Sequence, residues 1–389
     1  MGTLKVITTV GASIFENYFK KYDNSKNLFE RIKDLNSNKY EEYITEMGKL
    51  KKDIITYSKK EDKNKLSAEI KSLYKLKEEY KTDELWVYLI ASDTIVSRLA
   101  AEIIKEFLDD DFDKKGIKVY FVKENDVIKG LQVKDRDAFN REGMRNLIKR
   151  IDEIVQEYFD NVVFNISGGF KATIPYLTIM AQIYGCNIYY IFEETEELLR
   201  IPPLPISIDE KLFLEYTKEF SELENGINEN YHEWKNDHHN FYSEALPLIE
   251  EAEDGFILSP LGILFWEKFK ANNTIFYATD ESIEIILNDD YTKNTFIKFI
   301  SDQKLRESKT ENKNGHLVYD DGNNPIRFFY RKEDNLIHVY NVFNEQRNHD
   351  TYVRYLNKGY KVEKNFNEFK YLLNLETNEI KKIELDKNS

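Results

Sequence analysis

Cysteine is almost absent from this sequence, since Cys186 is the only one in 389 residues. A single cysteine excludes an internal disulfide and a zinc site built on a cysteine cluster. Its position beside a predicted strand indicates a small buried hydrophobic residue. No apolar run reaches the length of a membrane span, and Met1 is followed by Gly-Thr-Leu-Lys rather than by a secretory signal pattern. We therefore expect a soluble, cytoplasmic protein without a membrane partner.

Excess positive charge is also missing, because the formal net charge is −14. This balance argues against nucleic-acid binding over the whole surface. The segment Lys293–Lys361 is different, with 13 Lys/Arg against 9 Asp/Glu. A basic C-terminal segment in an acidic protein indicates a local site for a polyanion, although a neutral solvated surface explains the same composition.

Metal-binding patterns are not evident either. His232, His238 and His239 fall in the aromatic stretch Tyr231–Tyr242, but no carboxylate or cysteine at ligand spacing accompanies them. We interpret them as residues of a solvated helix face and predict no metal cofactor.

The most informative stretch is Asn161–Thr173. Val162–Ile166 is a short β-branched run typical of a buried parallel strand. Ser167-Gly168-Gly169 forms a turn, and apolar residues at helical spacing follow from Phe170 to Ile183. A strand, a glycine turn and a helix leave backbone N–H groups free at a helix N-terminus, which favours an anion, and Lys171 adds a positive charge. The stretch is not a P-loop, because the Gly-x4-Gly-Lys-Ser/Thr spacing is missing, and an ordinary strand-to-helix turn remains the alternative.

Strand and helix patterns alternate throughout residues 1–195, which predicts an α/β fold with a parallel, doubly wound sheet. In such sheets ligands bind beyond the carboxyl ends of the strands. Three small polar turns fall there and are expected to converge on one edge. They are Gly11-Ala12-Ser13, Ser92-Asp93-Thr94 and Ser167-Gly168-Gly169. Ser13 is predicted to cap the first helix, with Asn17 one turn along it.

The remaining segments suggest a three-part organisation. Residues 1–205 form the α/β domain, with a helical insertion from Asn24 to Tyr80 whose charges are expected to be solvated. Residues 206–270 are predicted to be a small helical or winged-helix linker. Residues 271–389 are predicted to form an α+β domain with an antiparallel sheet, in which the strands Ile326–Tyr330 and Leu336–Phe343 make a hairpin.

The N-terminal domain resembles the CARF domains of CRISPR-associated effectors, which are Rossmann-like sensors of cyclic oligoadenylate. The matching residues are Thr9–Ser13 with Asn17, Ser92–Thr94, Gly130–Val133 and Ser167–Thr173. The resemblance implies a homodimer that binds its ligand, cyclic tetra-adenylate foremost, on the two-fold axis. The ligand-binding set that it implies is Gly11, Ala12, Ser13, Asn17, Ser92, Asp93, Thr94, Gln132, Ser167, Gly168, Gly169, Phe170, Lys171 and Thr173.

The C-terminal domain resembles RelE-type ribonucleases. The resemblance rests on Pro325–Tyr330, the hairpin, and Phe343 followed by Arg347, His349, Asp350 and Tyr352. RelE-like toxins place an arginine on the first of these strands and a basic residue with a tyrosine after the later one. The resemblance therefore implies catalytic roles for Arg327, Arg347, Tyr352 and His349, with Lys309, Lys313 and His316 as further candidates.

Together the two resemblances imply a CRISPR-associated mRNA interferase: a ribonuclease activated by cyclic oligoadenylate and acting on RNA, including mRNA on ribosomes. The chemistry is coherent without a metal, because RNA carries its own nucleophile. The protein must orient the 2′-hydroxyl, neutralise the phosphate and assist proton transfer. Arginine and lysine can supply the charge, and tyrosine and histidine can move the protons.

Two rival interpretations stay open. Many CARF effectors carry a helical HEPN ribonuclease marked by Arg-x4–6-His, a spacing that Arg331 and His338 satisfy. HEPN needs this pair at a helix start, whereas the pattern here predicts a hairpin turn between them. A non-catalytic transcriptional regulator is the other alternative, but no basic recognition helix follows the predicted winged-helix linker.

Overall fold

The computed structural model describes residues 3–110, 116–132, 136–156, 158–191, 197–205, 210–227, 231–252, 255–333, 336–359 and 367–383. The chain divides into two compact units, which are 1–208 with 259–264, and 209–258 with 265–389. The predicted boundary at residue 205 lies close to the end of the first unit. Most of the predicted linker, 206–270, groups with the C-terminal part of the chain.

The first unit is built on a mainly parallel sheet of seven strands. In space the strands run β3-β2-β1-β5-β6-β7, with β4 beside β2. The strands are β1 Leu4–Val10, β2 Leu85–Ser92, β3 Ile117–Tyr120, β4 Val127–Ile128, β5 Val162–Asn165, β6 Asn187–Ile191 and β7 Leu198–Ile201. The predicted parallel, doubly wound sheet is present, but β7 pairs antiparallel with β6 and was not expected. It has only four residues, Leu198–Ile201, and periodicity alone cannot assign so short a run to a strand.

Helices connect these strands. They are α1 Ser13–Phe19, α2 Lys26–Ile32, α3 Ile44–Ser58, α4 Ala68–Tyr80, α5 Ile95–Asp109, α6 Lys123–Asp126, α7 Arg136–Ala138, α8 Met144–Val155 and α9 Ile174–Ile183. A π-helical turn, Phe139–Gly143, precedes α8. The predicted helix from Phe170 to Ile183 begins only at Ile174, because residues 171–173 form a short 3-10 turn.

The insertion Asn24–Tyr80 is helical, as predicted, and it shares the core of the sheet. Ile54 and Leu73 are fully buried in the same apolar cluster as Val6 of β1. The expectation that all of its charges are solvated is wrong, because the Glu69 side chain is fully buried and Lys71 is nearly so. The cause is that α4 packs against the sheet and not out into solvent.

The second unit contains another seven-stranded sheet, in the order β11-β12-β13-β14-β10-β15-β16, and a two-stranded sheet, β8-β9. The strands are β8 Ile249–Ala252, β9 Gly255–Leu258, β10 Asn273–Thr279, β11 Thr310–Lys313, β12 His316–Tyr319, β13 Ile326–Glu333, β14 Leu336–Asn344, β15 Glu368–Asn374 and β16 Glu379–Lys382. Within the large sheet, β10 and β14 are parallel and the other described pairings are antiparallel.

The helices in the second half of the chain are α10 Lys211–Glu215, α11 Thr217–Asn225, α12 Tyr231–Asp237, α13 His239–Glu244, α14 Pro260–Asn272, α15 Asp280–Leu287, α16 Asp290–Ser301, α17 Gln303–Ser308 and α18 His349–Asn357. One face of the large sheet holds an aromatic core that includes Phe276, Phe296 and Phe328. The opposite face carries a smaller cluster in which Phe329 and Tyr340 are buried.

The predicted hairpin is confirmed. β13 and β14 pair antiparallel, with Arg331 opposite His338, and the register shifts between Phe329 and Tyr330. The turn residues Asp334 and Asn335 lie outside the described residues. The aromatic and β-branched residues of the two strands made this hairpin predictable, because such residues favour strands.

Candidate functional site

The turn between β1 and α1 is closed by a carboxylate of the protein. The Gly11 N–H donates to Glu69 Oε1 at 2.8 Å, and Ser13 Oγ donates to Glu69 Oε2 at 2.7 Å. The prediction that Ser13 caps α1 is wrong, because Ala12 is the N-cap residue and no side chain caps this helix. Ser13 is instead held by a group that is distant in sequence. The anion expected at this turn is therefore already supplied from within the protein.

The turn after β5 packs directly on the same carboxylate. A Cβ atom on Gly168 would lie 1.9 Å from Glu69 Oε1. Gly169 has φ +99°, and a Cβ there would lie 2.6 Å from Thr9 Cβ. Thr9 Oγ1 also donates to the Gly168 carbonyl at 2.5 Å. Both glycines are thus required by the close approach of two turns.

The remaining polar groups of this turn bond inward. Ser167 Oγ donates to Asn165 Oδ1 at 2.6 Å and accepts from the Ile191 N–H at 3.0 Å. Thr173 is buried, and its Oγ1 donates to the Phe170 carbonyl at 2.7 Å. The half-buried Phe170 ring lies edge-on to Phe139, with the ring centroids 5.7 Å apart. These side chains fix the shape of the turn.

Lys171 differs from its neighbours because its side chain is exposed. Within the described part of the chain, no carboxylate lies within ion-pair distance of Lys171. Its ammonium group is therefore available to an anion at the edge of the sheet. Of the groups predicted at this turn, it is the one that solvent reaches most directly.

The third turn is organised by Asp93, which is buried. Asp93 Oδ2 accepts from the Gly130 N–H and from Asn36 Nδ2, both at 3.0 Å, and Oδ1 accepts from Ser37 Oγ. Asn36 Nδ2 also lies 3.4 Å from Gln132 Oε1. Asp93 thus joins the insertion to the predicted Gly130–Val133 segment, of which Val133 lies outside the described residues.

The neighbours of Asp93 complete this turn. Thr94 Oγ1 accepts from the Ser97 N–H at 3.2 Å and so caps α5. The Ser92 N–H donates to Ser97 Oγ at 2.9 Å, and Ser97 Oγ donates to the Val10 carbonyl at 2.8 Å. Asn17 is held elsewhere, since its Nδ2 donates to the Leu66 carbonyl at 3.2 Å.

A cavity of about 470 Å³ opens beside this third turn, with Asp93 and Gln132 in its lining. Its basic residues are neutralised locally. Arg98 Nε lies 3.1 Å from Glu102 Oε1, and Lys129 Nζ lies 2.8 Å from Glu142 Oε1. A phosphate entering this cavity would compete with those carboxylates.

In the second unit, Arg327 lies on β13 and is almost fully buried. Its Nε lies 3.0 Å from Asp320 Oδ2, and its Nη2 lies 2.7 Å from Glu345 Oε2. Its Nη1 donates to the Asn324 carbonyl at 2.6 Å. Two carboxylates therefore neutralise the guanidinium that was predicted to bind phosphate.

A cavity of about 680 Å³ lies at this arginine, lined by Arg327, Glu345, His349 and the loop 322–325. His349 Nδ1 lies 3.9 Å from Glu345 Oε1. Arg347 is exposed on the turn between β14 and α18. Hydrogen bonds from Thr292 hold the pKa of Asp289 below its usual range, and the charge of Arg347 lowers it further. The structure thus places two of the predicted catalytic residues, Arg327 and His349, in the lining of one cavity, whereas Arg347 is not among its lining residues and its charge acts on Asp289.

The other predicted catalytic residues are held differently. Tyr352 is buried, with its ring centroid 6.0 Å from that of Phe329. Lys313 Nζ lies 3.0 Å from Glu311 Oε2 and 3.2 Å from Asp320 Oδ2. Burial lowers the pKa of Lys313, but its hydrogen bonds to these two carboxylates outweigh burial and raise it.

Two further candidates lie near the same strands. The half-buried Lys309 accepts the Asp320 N–H on its carbonyl at 2.8 Å. His316 is buried, with its Nδ1 2.9 Å from the Tyr340 hydroxyl, and burial lowers the pKa of its imidazole.

The sequence reasoning missed Asp320 and Glu345. The local signal was weak, because nothing in the pattern distinguishes either residue from an ordinary surface carboxylate. One sequence feature of Glu345 is informative. It follows the predicted strand Leu336–Phe343 and lies four residues before His349.

Arg331 and His338 form a separate cluster with Glu368. Arg331 Nη1 and Nη2 lie 2.7 and 2.8 Å from the two Glu368 oxygens, and His338 Nδ1 lies 2.7 Å from Glu368 Oε2. The Tyr277 ring stacks on His338 with the centroids 4.6 Å apart. Burial raises the pKa of Glu368, but hydrogen bonds from His338 and Arg331 outweigh it and lower that pKa. Arg331 and His338 lie on β13 and β14 and not at the start of a helix, in agreement with the predicted hairpin.

Two further findings concern metals and membranes. Among the described residues, no group of three or more His, Cys, Asp or Glu side chains could hold a metal ion. His238 Nδ1 lies 2.9 Å from the Trp234 carbonyl, and the two rings stack. None of the helices in the described ranges is both long and apolar enough to cross a bilayer.

Comparison with known proteins links part of the first unit to a family. Residues 64–204 match the family model described as CRISPR-associated protein (Cas_APE2256). Among solved structures, the chain is similar to Can2 from Sulfobacillus thermosulfidooxidans in complex with cyclic tetra-adenylate (cA4). The alignment has 11% sequence identity and a TM-score of 0.22, and it covers 77% of this chain and 85% of Can2. That score is too low to infer a shared fold. The match over residues 64–204 includes the turns Ser92–Thr94 and Ser167–Thr173.

Proposed function

We propose that the N-terminal unit is a CRISPR-associated sensor that binds a cyclic oligoadenylate and activates a ribonuclease in the C-terminal unit. The observation that carries the sensor proposal is the convergence of the three turns at the carboxyl ends of β1, β2 and β5, with the exposed Lys171 at that edge. The family match over residues 64–204 supports the CRISPR association.

The chemistry of that edge suits a polyphosphate ring. The glycines of the two turns are packed against each other and against Glu69, so Lys171 provides the point charge for a phosphate at this edge. Phe170 offers an aromatic surface beside it. In a two-fold dimer the set would be doubled, which fits a ring with an even number of nucleotides. Cyclic tetra-adenylate is therefore the first ligand to test.

For the C-terminal unit we propose metal-independent cleavage of RNA. Arg327 and His349 line one cavity, which can receive a phosphodiester, and Arg347 follows the lining residue Gln346 in the chain. A phosphate would compete with Glu345 or Asp320 for the Arg327 guanidinium, because arginine binds carboxylate and phosphate with the same planar fork. Arg347 would meet the phosphate from solvent. RNA, including mRNA on ribosomes, is the proposed substrate.

The other members of the catalytic set would act from the edge of this site. Lys309 and Lys313 would add positive charge near Arg327. Tyr352 is buried in the aromatic cluster, so we propose that it positions α18, and with it His349, and that it reaches substrate only if that cluster opens.

Isothermal titration calorimetry tests the sensor. Cyclic tri-, tetra- and hexa-adenylate and linear tetra-adenylate would each be titrated into the full chain. We expect heat from cyclic tetra-adenylate, at one ring per two chains, and a much weaker response to the linear form. Absence of binding to all three rings would refute the proposal.

A further inference from the structure

We infer that Glu345 is the general base of RNA cleavage and that His349 is its general-acid partner. This inference rests on the proposed ribonuclease function. It assigns a residue that neither the sequence pattern nor the family resemblance had brought forward.

Glu345 is the carboxylate that joins the two predicted catalytic side chains. Its Oε2 lies 2.7 Å from Arg327 Nη2, and its Oε1 lies 3.9 Å from His349 Nδ1. Its N–H donates to the Pro325 carbonyl at 2.7 Å, which fixes its backbone beside the cavity loop. About a third of its side chain is exposed (31%). Glu345 is therefore anchored, reachable and directed toward the cavity that Arg327 and His349 line.

Asp320 provides the contrast within the same cluster. It also contacts Arg327, but its Oδ2 is shared with Lys313 Nζ at 3.2 Å. Its side chain is half as exposed as that of Glu345 (16%), and it is not among the residues that line the cavity. Of the two carboxylates on Arg327, only Glu345 is placed to touch substrate.

The arrangement can complete the reaction without another reactant. Glu345 takes the proton of the 2′-hydroxyl, and the 2′-oxygen forms a bond to phosphorus. The bond from phosphorus to the 5′-oxygen breaks, and His349 in its imidazolium form donates a proton to that oxygen. The products are a 2′,3′-cyclic phosphate and a free 5′-hydroxyl. General acid and base groups of this kind contribute roughly 10²–10⁴-fold each to the rate.

The ion pair between Arg327 and Glu345 gives this step a favourable charge balance. When Glu345 accepts the proton it becomes neutral, and its attraction for Arg327 falls. At the same moment negative charge grows on the phosphate oxygens. Arg327 can therefore transfer its interaction from the carboxylate to the phosphate as the transition state forms, which is where charge stabilisation accelerates a reaction.

The test compares Glu345→Gln with Asp320→Asn in the full chain, activated by saturating cyclic tetra-adenylate or whichever ring activates the wild type. Single-turnover cleavage of a labelled RNA is measured across pH. We expect Glu345→Gln to lose about 100-fold or more of the rate and to lose the acidic limb of the pH–rate profile. Asp320→Asn keeps an acceptor for Arg327 and is expected to lose less than about tenfold.

A substrate with a sulfur atom in place of the bridging 5′-oxygen separates base from acid. A thiolate leaves without being protonated, so this RNA should restore His349→Ala to near wild-type rate and leave Glu345→Gln slow. Restoration of Glu345→Gln by the sulfur substrate would make Glu345 the acid and overturn the assignment.

The outcomes also separate this inference from the ribonuclease proposal. If the wild type cleaves no RNA with any cyclic oligoadenylate, the ribonuclease proposal fails. If the wild type cleaves and Glu345→Gln keeps both its rate and its pH profile, only the base assignment fails. Should Glu345→Gln melt early, Glu345→Asp decides, because it keeps a carboxylate with a shorter reach. A Glu345→Asp enzyme that is slow but keeps both limbs of the pH–rate profile supports the inference. A Glu345→Asp enzyme with an unchanged rate contradicts it.

Discussion

The two seven-stranded sheets use their carboxylates in opposite ways. At the carboxyl edge of the first sheet, Glu69 and Asp93 are buried and bonded to backbone N–H and hydroxyl groups, so they shape the turns. In the second unit, Glu345 lines a cavity together with Arg327 and His349. Buried carboxylates with complete hydrogen bonds serve structure, whereas carboxylates at a cavity can exchange partners with a substrate. For the proposed sensor, we therefore expect the exposed Lys171 to provide the main charged contact with a ligand.

The largest effect on activity is expected from substitutions at the second site. Arg327→Ala and Arg347→Ala remove charge stabilisation that grows in the transition state, so each should reduce RNA cleavage by about 100-fold or more. Single-turnover assays measure the loss, and calorimetry should show unchanged affinity for cyclic tetra-adenylate. A fast Arg347→Ala enzyme would remove that residue from the site.

The next effect concerns the buried carboxylate of the first site. Glu69→Ala leaves the Gly11 N–H and the Ser13 hydroxyl without their partner, which should cost about 2 kcal/mol or more of unfolding free energy. Chemical denaturation measures it, with the exposed Glu78 on the same helix as the matched control. Equal stability of Glu69→Ala and Glu78→Ala would contradict a structural role for Glu69.

A smaller effect is expected at Lys171. Removing an exposed lysine that contacts one phosphate should weaken cyclic tetra-adenylate binding by about tenfold, because such a contact is partly screened by solvent. The melting temperature should not change. The comparison variant is Lys60→Ala, which removes an exposed lysine at the end of α3, and unaltered affinity in Lys171→Ala would exclude Lys171 from the site.

The smallest effect on activity is predicted for His338. It bonds Glu368 away from the cavity residues, so His338→Ala should still cleave RNA at close to the wild-type rate. A dead His338→Ala enzyme together with an active Arg347→Ala enzyme would instead favour the HEPN interpretation.

Local sequence patterns were enough to predict inner strands of the first sheet and the hairpin of the second, but not the edge strand β7. Val162–Ile166 and Ile326–Tyr330 must be buried, and burial leaves an apolar, β-branched or aromatic signature. The contacts that define the sites leave no such signature. Glu69 binds Gly11, which lies 58 positions away in the sequence. Glu345 contacts Arg327 from the far end of the β13–β14 hairpin. Contacts between residues so far apart in the sequence depend on how the strands are connected in space. The sequence could therefore predict that the turns lie at one edge of the sheet, but not which carboxylates contact them.

One assay can test whether a ligand of the first unit activates RNA cleavage by the second. RNA cleavage by the full chain is followed in EDTA, with and without cyclic tetra-adenylate, and the product ends are analysed. We expect little cleavage without the ring, strong cleavage with it, and 2′,3′-cyclic phosphate ends. Cleavage that needs magnesium or manganese, or that no cyclic oligoadenylate stimulates, would contradict it.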